Sequence, residues 1–187
     1  EPQETKAARN DAQYLLRTHA TAATVGRTLD VDASVRLTTT VDLLDDDVWK
    51  DGMPRNLRNL IRRFDGLRAQ LAHATARPLI DAAELQLLHY EKGGFYRRHV
   101  DDGVGTIDRH VRRSISFLCY LTPSDWAPAD GGYLRAHLDN GSTVDIPPAA
   151  GSLVLFDSTT VPHEVMPTHR DRIACVGWFL CARDSVT

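Results

Sequence analysis

The sequence predicts an α+β protein in which helices come first and a β-sandwich or barrel follows. Its 187 residues are enough for one domain with a sizeable core. Apolar residues recur at helical spacing early in the chain, and from about Ala83 onward the period changes to that of strands. No internal repeat or low-complexity linker divides the chain. We therefore predict one domain over residues 1–187, with helices and a strand in 1–82 and a β core in 83–182.

The first part of the chain begins with a predicted helix. Glu1 to about Arg27 is rich in alanine, and Tyr14, Leu15 and Leu16 are its expected inward face. Apolar and polar residues then alternate from Val35 to Val41, which indicates a strand.

The clearest helix runs from Pro54 to Arg77 and ends before Pro78. Its apolar residues fall at helical spacing, and its arginines lie mostly on the other side. We interpret this basic side as a solvated face rather than a nucleic-acid surface. The apolar residues are Leu57, Leu60, Ile61, Phe64, Leu67 and Leu71.

Short apolar segments separated by turn residues make up the second half. Asn140-Gly141 is a strong hairpin signal. Many short strands with regular turns are typical of a sandwich or barrel. The predicted strands are Leu85–Tyr90, Ser114–Leu121, Tyr133–Leu138, Thr143–Ile146, Ser152–Phe156 and Ile173–Cys181.

Composition excludes several classes of protein. A net charge of -3 gives no case for a nucleic-acid binder. No apolar run approaches the ~18 residues of a membrane span, and no signal-peptide pattern opens the chain. The odd number of cysteines, without C-x-x-C spacing, indicates buried thiols: Cys119, Cys175 and Cys181. We expect a cytoplasmic protein that binds neither nucleic acid nor membrane.

The residues that carry chemistry are His99-Val100-Asp101 and, much later, His163. Two imidazoles and one carboxylate with open positions suit non-haem Fe(II). On an extended chain residues i and i+2 point to the same face, so His99 and Asp101 can reach one metal there. An H-x-D pair also arises by chance in a chain with eight histidines. The preceding strand and Gly-Gly turn, the Pro-flanked second histidine and a following arginine favour a metal site.

Arg172 follows His163 by nine residues. A guanidinium buried in a barrel needs an anion, and its fork fits a carboxylate with two parallel hydrogen bonds. The spacing favours an anionic co-substrate. The alternative is an ion pair with Asp171 or another surface acid.

These residues, in this order, resemble the prolyl hydroxylase branch of the Fe(II)/2-oxoglutarate-dependent oxygenases. The resemblance is strongest to the group of the hypoxia-inducible-factor prolyl hydroxylases and their bacterial relatives, and it covers Leu85 to Leu180. The matching motifs are Tyr90…Gly94-x-Tyr96-x-x-His99-x-Asp101, then Asp130-Gly131-Gly132-x-Leu134, then His163-Glu164-Val165-x-Pro167…Arg172…Trp178.

The resemblance implies a double-stranded β-helix, or jelly-roll, with the helices packed on one sheet. It implies Fe(II), 2-oxoglutarate and O₂ as cofactors, with ascorbate as a reductant, and a loop from Asp102 to Val111 over the site. The implied metal ligands are His99, Asp101 and His163; the cofactor residues are Arg172, Tyr120, Tyr90 and Trp178; and the substrate residues are Tyr96 and Arg113.

The implied function is hydroxylation of a C–H bond, foremost on a prolyl residue of a protein or peptide partner. The same chemistry on a free amino acid or other small molecule stays open, because the ligands serve the iron and not the substrate. Two further alternatives are a non-catalytic jelly-roll binding module and a cupin-like metalloenzyme without 2-oxoglutarate. The latter has no need for Arg172.

Overall fold

Two antiparallel β-sheets face each other, and helices cover the outer side of the larger sheet. The structure, a computed structural model, describes residues 2–25, 30–50, 52–101 and 110–183. This architecture confirms the predicted α+β class with a jelly-roll core. The elements are α1 (Pro2–His19), β1 (Thr21–Ala22), β2 (Arg36–Leu37), β3 (Thr39–Asp42), α2 (Asp46–Lys50), α3 (Arg55–Thr75), β4 (Leu79–Tyr90), β5 (Phe95–His99), β6 (Val111–Tyr120), β7 (Leu134–His137), β8 (Thr143–Ile146), β9 (Leu153–Asp157), β10 (His163–Val165) and β11 (Arg172–Ala182).

Strand β11 lies in the middle of the larger sheet, whose strand order is β1-β3-β4-β11-β6-β9. The smaller sheet has the order β2-β5-β10-β7-β8. Because successive side chains of a strand alternate between its faces, β11 serves both layers. Cys175 and Phe179 pack toward the helices, whereas Val176 and Trp178 face the smaller sheet.

Helix α3 supplies much of the outer layer. Leu57 and Phe64 are buried in it, and the remaining apolar residues of its predicted stripe are partly buried against the same core. The helix ends at Thr75, because Ala76 adopts a left-handed φ of 52° and Pro78 follows. The predicted helix Pro54–Arg77 is therefore confirmed, with small differences at its ends.

Helix α1 packs beside α3 and buries one face in the same core. Ala8, Ala12 and Leu15 are buried at i, i+4 and i+7 spacing. The prediction that Tyr14 faces inward is wrong: its side chain is 51% exposed, because each helical residue turns about 100° from the previous one. Asp11 of the same helix accepts a hydrogen bond from the first-turn amide of Asn56 at 2.8 Å, which fixes α1 to the start of α3.

The strand predicted from Val35 to Val41 is divided at Thr38. Its two parts, β2 and β3, belong to different sheets, and the Thr38 hydroxyl donates to the carbonyl of His89 at 2.7 Å. Strand β4 also begins before the predicted Leu85, at Leu79. All three cysteines are buried and free, as predicted. Among the described residues, no helix combines the length and apolarity of a membrane span.

Candidate active site

Two histidines face each other across neighbouring strands of the smaller sheet. His99 ends β5 and His163 begins β10, and they are direct partners in the antiparallel ladder. Asp101 follows two residues after His99, and its Oδ1 lies 3.5 Å from Nε2 of His99 and 3.8 Å from Nε2 of His163. The three ligand atoms lie within 4.8 Å of one another. The structure thus brings together the three residues that the sequence singled out as metal ligands.

Backbone carbonyls fix the orientation of both imidazoles. Nδ1 of His99 lies 2.7 Å from the carbonyl oxygen of Arg97, and Nδ1 of His163 lies 3.0 Å from that of Val161. A hydrogen on each Nδ1 leaves the Nε2 lone pair directed toward Asp101. Burial lowers the pKa of His163, against the opposing attraction of the Asp101 carboxylate. Burial thus favours the neutral form of His163, which is the form of imidazole that binds metals.

The Asp101 carboxylate is buried and held through one oxygen. Its Oδ2 accepts hydrogen bonds from the Ser116 hydroxyl at 2.7 Å and from Trp178 Nε1 at 2.9 Å. Burial raises the pKa of Asp101, but its contacts with His99, His163 and the Ser116 hydroxyl lower it by more. The net pKa is well below its usual range. The carboxylate is therefore ionised, with Oδ1 available to a cation.

This donor set fits Fe(II). Two imidazoles and one carboxylate would hold the ion from one side and leave positions open, which is the arrangement of non-haem Fe(II) oxygenases. The described part of the chain has no cysteine among these ligand atoms, so a thiolate-rich zinc site does not apply here.

Arg172, the first residue of β11, is fully buried. Its Nε donates to the carbonyl oxygen of Gly132 at 2.9 Å, but neither terminal nitrogen has a hydrogen-bond partner. No acidic side chain among the described residues forms an ion pair with it. This excludes the surface pairing with Asp171 that the sequence left open.

Two tyrosines flank the guanidinium. Its central carbon lies 4.9 Å from the ring centre of Tyr120 and 5.1 Å from that of Tyr90. The Tyr120 hydroxyl is also buried without a partner. Burial raises the pKa of Tyr120, an effect that the charge of Arg172 partly offsets, so the phenol keeps its proton. Three unpartnered donors next to a positive charge fit a carboxylate, such as the distal one of 2-oxoglutarate.

A cavity of about 460 Å³ opens between the two sheets and includes all three potential metal ligands in its wall. This volume is typical of small-molecule sites. Tyr96 lines the cavity and stacks on His99, with ring centres 3.6 Å apart. Tyr90 and Trp178 line it as well, and their roles in cofactor binding stay predictions.

Arg113 lines the same cavity, but other groups already hold its guanidinium. Its Nε donates to Glu84 at 2.9 Å, its Nη2 contacts the same carboxylate, and its central carbon lies 3.7 Å from the Trp178 ring centre. The loop predicted to cover the site lies largely in residues 102–109, outside the described residues. The substrate roles of Tyr96 and Arg113 stay predictions.

Sequence reasoning missed several supporting residues. Ser116 and Ser158 are fully buried and hydrogen-bonded to each other at 2.8 Å, next to Asp101. Only a serine within an otherwise apolar strand could have signalled this. Gly132 is part of the motif Asp130-Gly131-Gly132-x-Leu134, but the motif alone does not indicate why glycine is needed there. Its φ is +67°, and an added Cβ there lies 2.9 Å from Cδ of Arg172. Glycine is thus required beside that side chain.

Comparison with known proteins agrees with this geometry. The sequence profile of the 2OG-Fe(II) oxygenase superfamily matches residues 85–180. A PKHD-type hydroxylase of Synechococcus elongatus is 37% identical over 91 residues, which is 48% of this chain and 39% of that protein. The hypoxia-inducible factor prolyl hydroxylase of Caenorhabditis elegans is 34% identical over 134 residues, 63% of this chain and 18% of that protein. The chain therefore spans well under half the length of these two relatives.

A solved structure extends the similarity to the whole fold. The crystal structure of a Pseudomonas putida prolyl-4-hydroxylase superposes with a TM-score of 0.79 at 29% identity, covering 96% of this chain and 86% of the other. The profile match covers just over half of the chain and includes the triad, Arg172 and Trp178. The chain belongs to the 2OG-Fe(II) oxygenase superfamily, whose cofactors are Fe(II), 2-oxoglutarate and O₂, and its relatives include prolyl hydroxylases.

Proposed function

We propose that this chain is a 2-oxoglutarate- and Fe(II)-dependent dioxygenase that hydroxylates a prolyl residue in a protein or peptide. One observation carries the oxygenase part. Arg172 is a buried guanidinium with two unpartnered nitrogens. It lies beside Tyr90, which lines the same cavity as the cluster of two histidines and an aspartate. A metal site alone needs no such arginine, and a binding module needs neither feature. Together they match an ion and a dicarboxylate that bind side by side.

Each residue has a role in this proposal. His99, Asp101 and His163 hold the ion from one side through Nε2, Oδ1 and Nε2. Arg172 and Tyr120 bind the far carboxylate of 2-oxoglutarate, which orients its other end toward the ion. Bound Fe(II) and 2-oxoglutarate supply the activation of O₂ for hydroxylation of a C–H bond.

The rest of the cavity orients the substrate and limits side reactions. Its wall between the triad and Tyr90 includes apolar residues of both sheets, which exclude water from the reacting groups. Leu118 and Val176 come from the larger sheet, and Leu134 and Val165 from the smaller. Tyr96 contacts His99 on the cavity side and so lies where a substrate C–H bond has to approach.

The prolyl substrate is supported by the relatives. The nematode protein is named for hydroxylation of prolyl residues in hypoxia-inducible factor, and the Pseudomonas putida structure is that of a prolyl-4-hydroxylase. The groups that hold the cofactors are the same for a free amino acid. The substrate therefore has to be identified by experiment.

The test incubates the protein with Fe(II), 2-oxoglutarate, O₂ and ascorbate, and offers a panel of proline-containing peptides beside free amino acids. We expect succinate release coupled to a mass gain of one oxygen atom on a prolyl residue, and loss of both in His99→Ala and Asp101→Ala. Turnover of a free amino acid with all peptides untouched contradicts the prolyl assignment. A protein that binds neither Fe(II) nor 2-oxoglutarate contradicts the oxygenase assignment itself.

A further inference from the structure

Arg113 is buried beside the proposed metal site, yet its charge is already neutralised. Its side chain is only 8% exposed. The Glu84 carboxylate accepts hydrogen bonds from its Nε and from one terminal nitrogen. The central carbon of the guanidinium lies over Trp178, 3.7 Å from the ring centre. Because Glu84 holds Nε and Nη2, these contacts also give Arg113 a structural role beside the site.

The contacts of Arg113 lead to Asp101. Glu84, Trp178 and Ser116 are directly opposite one another across β4, β11 and β6. Trp178 and Ser116 both donate to Oδ2 of Asp101. Arg113 itself approaches the backbone carbonyl of Asp101, with Nη1 at 3.5 Å. One row of neighbouring side chains therefore connects the ion pair to a single carboxylate oxygen.

We propose that Glu84 and Arg113 are positioning residues for the metal ion. Glu84 keeps the Arg113 guanidinium on the face of Trp178, and this holds the indole N–H on Oδ2 of Asp101. With Oδ2 occupied, the carboxylate presents Oδ1 to the two histidines and to the ion. Glu84 has a second effect, because it draws the positive charge of Arg113 away from the Asp101 carboxylate, where it would compete with the metal. This inference rests on the proposed function.

The test measures binding of Mn(II) alone, without 2-oxoglutarate or substrate, by electron paramagnetic resonance of the free and bound ion. The variants are Glu84→Gln, Arg113→Met and Trp178→Phe, and Arg68→Met is the matched control. Arg68 also has a largely buried side chain in an ion pair, with Asp81, but on the helix side of the larger sheet. Loss of a residue that orients a metal ligand typically weakens metal affinity about 10- to 100-fold.

We expect the Kd for Mn(II) to rise about tenfold in Glu84→Gln and Arg113→Met and more in Trp178→Phe, with no change in the control. The line shape of bound Mn(II) should also change in the first three variants, because the carboxylate is no longer held in one orientation. If Arg113→Met does not fold, as judged by circular dichroism, Glu84→Gln decides, since it preserves side-chain volume.

Two outcomes separate this inference from the proposed function. If wild-type protein binds Mn(II) and Glu84→Gln binds it equally well with an unchanged line shape, the positioning role is wrong. A higher KM for the substrate in Arg113→Met at unchanged metal affinity then supports the substrate role predicted from the sequence. If the wild-type protein itself does not bind Mn(II), the proposed function fails first.

Discussion

Replacement of Arg172 by Met should abolish the preference for a dicarboxylate co-substrate. Methionine fills a similar volume without the charge. In the structure both terminal nitrogens of Arg172 lack partners, so a bound carboxylate forms two charge-assisted hydrogen bonds in a fully buried setting. Removing one partner of such a pair costs about 2–5 kcal/mol. At about 1.4 kcal/mol per tenfold change, the Kd for 2-oxoglutarate should rise roughly 30-fold to several thousandfold.

The assay compares 2-oxoglutarate with 2-oxopentanoate, which has the same chain length but no second carboxylate. Binding to the Mn(II)-loaded protein is measured by calorimetry. Wild-type protein should strongly prefer 2-oxoglutarate, whereas Arg172→Met should bind the two compounds almost equally. A preference that survives unchanged in Arg172→Met refutes the reasoning, because the far carboxylate then binds elsewhere.

The thermal stability of Arg172→Met also tests whether Arg172 lacks an anionic partner. Here the variant should gain stability, although it loses binding. Without an anion the protein contains a buried, unpaired positive charge, which is unfavourable. Arg172→Met should therefore unfold at a higher temperature than wild type when no co-substrate is present. Addition of 2-oxoglutarate should raise the Tm of wild type, since a ligand of the native state stabilises it, but not that of the variant.

Three further predictions test the site and its support. Tyr120→Phe removes one hydrogen bond to a charged group, worth about 1.5–3 kcal/mol, and should weaken 2-oxoglutarate binding roughly 10- to 100-fold by calorimetry. Gly177→Ala places a Cβ against the Phe117 ring and 2.7 Å from the carbonyl oxygen of Glu84. Chemical denaturation should show that the free energy of unfolding falls by about 1–3 kcal/mol. Gly66→Ala is the control, because open space surrounds Gly66 and the change should not destabilise the protein. Asp157→Asn should lower the Tm at pH 7, because it removes a carboxylate that the folded protein stabilises. Burial raises the pKa of Asp157, but hydrogen bonds from Thr159 and the charge of Arg77 lower it to about 2. Because the folded pKa is lowered from about 3.9, this stability is present above pH 4 and should disappear as the pH falls toward 2.

The sequence was sufficient to bring together the first two residues of the predicted metal site because their spacing is local. His99 and Asp101 are two residues apart, and an extended segment is enough to direct both to one side. Most of the longer strands were also accessible, since alternation and turn residues mark them, but the short strands β1 and β10 were not predicted. Tyr14 shows the limit of this approach, because helical composition alone does not tell which of three consecutive residues faces the core.

The supporting residues depend on pairing between distant strands. Ser116 and Glu84 become neighbours of Trp178 only because β6 and β4 pair with β11 in one particular register. Their contacts with Asp101 and Arg113 follow from that arrangement. Nothing in the residues around Glu84 distinguishes it from a solvated acid at the start of a strand. The burial of Arg172 was likewise a question of tertiary structure, and the sequence left its surface pairing open.

The register of β11 connects the stability of the core to the geometry of the site. On the helix side, Gly177 leaves just enough room for Phe117, so this strand cannot slide without a clash or a void. On the cavity side, the same register places Arg172 opposite Tyr90 and Trp178 opposite both Glu84 and Ser116. A slip of one residue turns both functional side chains toward the helices. Packing on one face of β11 therefore fixes the positions of Arg172 and Trp178 on the other face. Overpacking at Gly177 should accordingly weaken Mn(II) and 2-oxoglutarate binding as well as stability.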